Sequence, residues 1–138
     1  MRDENGFAQL VDVVKALRDP ESGCPWDLEQ THESLAKYLE EETEETLEVL
    51  EKFKDTPSDK DYEELLDELG DVLLQVMLHS QLASEEDRFT IDDVINNLIS
   101  KLIRRHPHVF GESDAKTIDE VEKQWEEIKK QEKSKDTK

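Results

Sequence analysis

Apolar residues recur every three or four positions along most of this chain, and short polar or proline-containing breaks separate the stretches that carry them, so the pattern predicts a series of helices. Phe7, Leu10, Val11, Val13, Val14 and Leu17 mark a first short helix, broken by Asp19, Pro20, Ser22 and Gly23. A loop with Cys24, Pro25, Trp26 and Asp27 leads to a second helix from near Thr31 to about Lys54, closed by a turn at Pro57 and Ser58. Ser58 with Asp61 predicts the N-cap of a third helix running to about Ala83. Thr90 with Asp93 opens a fourth, carried by Ile91, Val94, Ile95, Leu98, Ile99, Leu102 and Ile103 to Arg105 and ended by Pro107. Thr117 with Glu120 opens a fifth through Val121, Trp125 and Ile128, and residues 133–138 are expected to fray. With no internal repeat and no strand alternation, the fold class is all-α, a bundle of about five helices.

Two of these helices break the simple pattern of one apolar and one polar face. In the third, Leu65, Leu66, Leu69, Val72, Leu73 and Val76 form one face, but Leu74, Met77 and Leu78 spread apolar surface round the later turns. A helix apolar on several sides is covered on several sides, which predicts both a central position and a subunit interface. In the second, Leu35, Tyr38, Leu39, Thr46, Val49, Leu50 and Phe53 fall on one stripe, and Glu42 lies near its middle. A carboxylate there is costly unless something positive meets it.

Composition narrows the function classes. The 138 residues, 16.1 kDa, fit one domain, and 37 acidic against 18 basic residues give a formal charge of −19. Such a charge repels nucleic-acid polymers and anionic membranes. No stretch approaches the roughly 18 continuous apolar residues of a membrane span, and the N-terminus shows no export signal. Cys24 is the only cysteine, so an intrachain disulfide is excluded and a reducing cytoplasm is the expected setting.

The acids around Glu42 form a candidate site. Glu41, Glu42 and Glu45 reach one side of the second helix, and Glu68 and Asp71, three apart, repeat the arrangement on the third, on a face with Glu64, Gln75 and Leu78. A short connection at about residues 55–60 makes the two helices antiparallel neighbours, with the acid pairs face to face. Carboxylate oxygens without cysteine or a well-placed histidine suit a hard cation, Mg²⁺ or Mn²⁺, rather than zinc, and Mg²⁺ typically completes its shell with substrate phosphates. Glu40, Glu44, Glu48 and Glu51 read instead as solvated surface.

The densest positive run is Lys101, Arg104, Arg105, His106 and His108. Arg105 projects onto the stripe of Leu98 and Leu102, where a guanidinium can grip a phosphate or a buried acid; attraction of cations to a helix C-terminus explains the run equally well. His106 and His108 are as readily structural as ligating. Trp26 can stack on a nucleobase or plug the end of the domain, and its residues alone favour the plug.

Together these segments resemble the MazG-type nucleoside triphosphate pyrophosphohydrolases, from about Phe7 to Glu132. CPWDLEQTHESL (24–35) is similar to that family's CPWD-x-x-QT loop, Glu41-Glu42-x-x-Glu45 to its EExxE, Glu68-x-x-Asp71 to its ExxD and KLIRRHPHVFG (101–111) to its basic signature. EExxE alone is a weak signal; in order, with 22 residues between Glu45 and Glu68 and both flanking signatures, the match is specific. Departures are His32 and Glu44, where other residue types are expected, and a single copy of a domain that some members carry in tandem.

The resemblance implies an oligomeric all-α fold, a homodimer or homotetramer, and Mg²⁺-dependent cleavage of a nucleoside triphosphate between the α and β phosphates. Its metal ligands fall on Glu42, Glu45, Glu68 and Asp71, with Glu41 a further acid near metal or water. Lys101, Arg104 and Arg105 take the phosphate role, and Trp26 lies where substrate or an adjoining surface is contacted. On this reading Glu41, Glu42, Lys101 and Arg104 are catalytic: a carboxylate orients or deprotonates the attacking water, and the cations offset charge growing on pyrophosphate. The alternatives are a non-catalytic acidic helical oligomerisation or regulatory module, a related dUTP or phosphoribosyl-ATP pyrophosphohydrolase, and a di-iron carboxylate bundle, for which only Glu29-x-x-His32 fits.

Overall fold

The structure, a computed structural model, describes residues 6–136, with side chains to residue 134. The described residues form helices α1 (Gly6–Leu17), α2 (Pro25–Glu29), α3 (His32–Glu51), α4 (Asp59–Glu85), α5 (Ile91–Arg105), α6 (Pro107–Phe110) and α7 (Ile118–Asp136), with a 3₁₀ turn at Lys52–Lys54 and no strand among them. The five long helices coincide with those the periodicity predicts. The two short ones, α2 and α6, each begin at a proline, whose fixed φ suits the first turn of a helix and whose missing N–H is not needed there. Pro107 therefore starts a helical turn as well as ending α5. Helix α7 continues through Asp136, and Thr137 and Lys138, the end of the tail expected to fray, lie outside the described residues.

Caps set the helix starts. Thr31 Oγ1 accepts the Ser34 N–H at 3.0 Å while Ser34 Oγ accepts the Thr31 N–H at 2.8 Å, a reciprocal box before α3. Ser58 and Asp61 do the same before α4. Ahead of α7, Thr117 accepts the Glu120 N–H, and the Glu120 carboxylate accepts the Thr117 hydroxyl.

The chain gathers into two compact units, one ending at Ile91 and the other beginning at Asp92. In the first, α3 and α4 run antiparallel. His32 meets His79, Lys52 meets Glu64 and Phe53 meets Tyr62, so partners advance along one helix as they retreat along the other. Val14, Leu35, Met77, Leu78 and Leu82 form the core, with Leu10, Val11, Tyr38, Leu74 and Ile91 packed on it. Each such burial contributes about 1.5–3 kcal/mol against the ordering entropy. Arg18, its side chain 8% exposed, ties the end of α1 to the rest: Nε and Nη2 donate to the two Glu85 oxygens at 2.8 and 2.9 Å, and Nη1 donates to the Asp27 carbonyl. The turn before α2 needs Gly23, because a Cβ there would run into the carbonyl oxygens of Leu17 and Asp19.

The stripe expected on α3 is only partly covered. Leu35 and Val49 are buried, but Leu39 and Leu50 are exposed. On α4 the last turns bury Met77, Leu78, Leu82 and Ala83, whereas Leu66 is 76% exposed and Leu69 53%. In the second unit α5 buries no residue, and Leu98, Ile99, Leu102 and Ile103 each remain about half exposed. Within that unit α7 turns Val121, Trp125 and Ile128 inward, and His106 packs edge-on against Trp125 at 5.4 Å.

Candidate metal centre and phosphate pocket

Helical spacing places Glu42 and Glu45 one turn apart on α3, and Glu68 and Asp71 one turn apart on α4. The antiparallel pairing then brings all four together: one carboxylate oxygen from each lies within 4.8 Å of the others. Glu42 Oε2 and Glu68 Oε2 are buried without a hydrogen-bond partner. Burial, first, and then Glu45 and Asp71 hold the Glu42 carboxyl above the usual range; the same causes raise Glu68. Asp71 is raised by burial and then by Asp67 and Glu45.

No described cation answers this charge. Lys52, just past the end of α3, is bound to Glu64 at 2.6 Å. Four carboxylates converging on one point, two with orphaned buried oxygens, fit a divalent cation: the donors are all hard oxygens, and an octahedral shell retains positions for water or phosphate. Glu41 is exposed and stands outside the four-residue cluster, as do Glu40 and Glu44. Among the described residues this is the only grouping of at least three acids, histidines or cysteines able to hold a metal. The single Glu-x-x-His sequence is split between helices, Glu29 on α2 and His32 on α3, and His32 is engaged with His79 through ring nitrogens 2.7 Å apart. Nothing in the sequence pattern signalled that histidine pair.

In the second unit Lys101, Arg104 and Arg105 line one open depression of about 700 Å³, with Asn97, Gln131 and Glu132. Arg104 Nε donates to Glu132 Oε2 at 2.6 Å and Arg105 Nη2 to Oε1 at 2.8 Å. These bonds, Arg105 first and then Arg104, hold the Glu132 carboxyl down at about 2. The sequence reading passed over Glu132, although its signal was present. Val121, Trp125, Ile128 and Glu132 share one α7 stripe, so an acid again sits where an apolar residue is expected.

The two neighbouring histidines each have a hydrogen-bond partner within the unit. His106 Nδ1 lies 2.6 Å from the Leu102 carbonyl, which only accepts, so that nitrogen carries the proton. Gln124 accepts the Ser113 hydroxyl and turns its amide N–H toward His108 Nδ1 at 3.0 Å. Trp26 is 47% exposed and meets Tyr38 edge-on at 5.4 Å.

Residues 30–110 match the family model of the MazG nucleotide pyrophosphohydrolase domain. The chain is 51% identical over 129 residues to the nucleoside triphosphate pyrophosphohydrolase/pyrophosphatase MazG of Thermotoga maritima, covering 94% of this chain and 46% of that protein. Its identity to the nucleoside triphosphate pyrophosphohydrolase of Escherichia coli (strain K12) is 43% over 130 residues, covering 94% of this chain and 47% of that one. The chain thus spans about half the length of these relatives. Among solved structures, a mazG-related protein from Thermotoga maritima superposes with a TM-score of 0.69 at 28% identity, over 89% of this chain and 98% of that one.

Proposed function

Because the chain belongs to the MazG nucleotide pyrophosphohydrolase family, we propose that it hydrolyses nucleoside triphosphates between the α and β phosphates, releasing a nucleoside monophosphate and pyrophosphate. The observation that carries this reading is the cluster of Glu42, Glu45, Glu68 and Asp71, with two buried carboxylate oxygens that no described group satisfies. These four residues would hold Mg²⁺, or Mn²⁺. An ion bound there would supply charge neutralisation for the phosphates and would lower the pKa of a water.

The chain's own residues supply the rest. Glu41 or Glu42 orients the attacking water and takes its proton as the oxygen bonds to the α-phosphorus and the bridge to the β-phosphate breaks. Lys101, Arg104 and Arg105 offset charge on the departing pyrophosphate, and Trp26 offers its exposed face to the substrate. The exposed leucines of α4 and the uncovered apolar face of α5 support assembly as a homodimer or homotetramer, since apolar surface of this extent is normally covered. No described helix is long and apolar enough to cross a membrane, and the lone Cys24 accords with a reducing cytoplasm.

A panel of ribo-, deoxy- and damaged nucleoside triphosphates with Mg²⁺, assayed separately for pyrophosphate and orthophosphate, tests this function. Pyrophosphate with equimolar monophosphate is expected; orthophosphate alone excludes α,β cleavage.

A further inference from the structure

The pocket of the second unit holds a relation that its phosphate role does not by itself require. Of the residues that line it, Glu132 alone is acidic, and it spends one oxygen on each arginine, Oε2 on Arg104 Nε and Oε1 on Arg105 Nη2. Each guanidinium carries five N–H donors, so most remain free, and Arg105 Nε is buried with no partner. Lys101 faces the same depression and has no ion pair among the described residues. Three cations against one anion leave the lining positive, in a protein of formal charge −19.

We propose that Glu132 is a positioning residue. From α7 it clamps Arg104 and Arg105 of α5 side by side, so that their remaining donors, with Lys101, form a preset receptor for a phosphoryl oxyanion. The inference rests on the phosphate role given to these cations above. The physical reason is preorganisation. An arginine side chain free in solvent gives up rotamer freedom when it binds phosphate, whereas one already fixed by a carboxylate gives up less. A planar fork also presents its second edge in a defined direction once its first edge is bound. Glu132 is itself fixed, because it continues the inward stripe of Val121, Trp125 and Ile128.

The opposite device would be a gate, in which Glu132 occupies the anion's seat and must leave. The two differ in sign. The test compares the full chain with Glu132→Ala, Glu132→Gln and Glu132→Asp, each checked for helicity by circular dichroism. Positioning predicts that Glu132→Ala raises KM for a nucleoside triphosphate about tenfold with kcat changed much less. It also predicts that inorganic pyrophosphate, titrated without metal, binds about tenfold more weakly, and that Asp restores part of both. The Arg104 Nε–H resonance should leave its hydrogen-bonded position in the Ala variant. Should Ala prove poorly folded, the near-isosteric Gln carries the same comparison. Unchanged KM and pyrophosphate affinity in a wild type that turns over would overturn the proposal and leave the proposed function standing; tighter binding would overturn it in favour of the gate. No turnover by any form, with pyrophosphate affinity still falling in Ala, would sink the proposed function and support the clamp.

Discussion

Glu42 and Glu132 occupy equivalent positions on two different helices, each an acid set into an apolar stripe, and their surroundings give them opposite electrostatics. Around Glu132 two guanidinium groups close on the carboxylate and hold it ionised down to a pH of about 2. Around Glu42 the neighbours are three more acids; burial and then repulsion raise its pKa, and one oxygen has no partner. The first acid completes a partly exposed ion-pair network with the chain's own arginines. The second is half of an interaction whose other half comes from solution. An acid on an apolar stripe therefore signals a ligand only when the fold supplies no counter-charge, and that is a property of the neighbours rather than of the residue.

The largest effect that bears on this contrast is loss of turnover. Glu42→Gln keeps the shape and removes the charge, and Mg²⁺-dependent pyrophosphate release should fall by about 100-fold or more with the far-ultraviolet spectrum unchanged. Retained turnover would take Glu42 out of the ligand set and return the cluster to a surface accident.

Next is metal linkage. If the cluster binds the ion in the folded state alone, Mg²⁺ at about 100 times its dissociation constant stabilises by about 2.7 kcal/mol, a rise in Tm of several degrees reversed by a chelator. Glu42→Leu should abolish that rise while melting a few degrees higher than wild type in the absence of metal. A non-catalytic module would show the gain without any metal response to lose.

Smallest is the pH dependence, in which the two regions pull in opposite directions. Glu132 has a folded pKa of about 2 against an ordinary 4.5, so its contribution is complete above 4.5 and is lost as pH falls toward 2. Glu132→Gln should flatten acid denaturation in that window. In the metal-free protein Glu42, Glu68 and Asp71 are raised, so the folded state binds the extra protons and stability falls as pH climbs above the ordinary carboxylate range. Thermal melts between pH 2 and 8, with chelator and with Mg²⁺, separate the two slopes.

Much of the molecule was legible in the sequence because its information is local. The 3.6-residue repeat and the Thr31, Ser58 and Thr117 boxes depend on neighbours within a turn, and the five long helices follow from them. Glu42 was legible for the same reason, since one helix is enough to see a charge on an apolar stripe. Helical turns α2 and α6 were missed because a proline reads as a break until its place at the first position is known. The pairing of His32 with His79 was invisible, being 47 residues apart with no periodic trace.

What the sequence alone determined is the set of helices, the acid pairs spaced along α3 and α4, and the cations at the end of α5. Tertiary packing decided what each charge meets. The antiparallel register of α3 and α4 carried Glu42 and Glu45 to Glu68 and Asp71, with no cation among them, while α7 carried Glu132 to Arg104 and Arg105. Periodicity specifies which face of a helix a side chain occupies. Electrostatic energy depends on distance and burial across faces, and those exist only once the helices have packed.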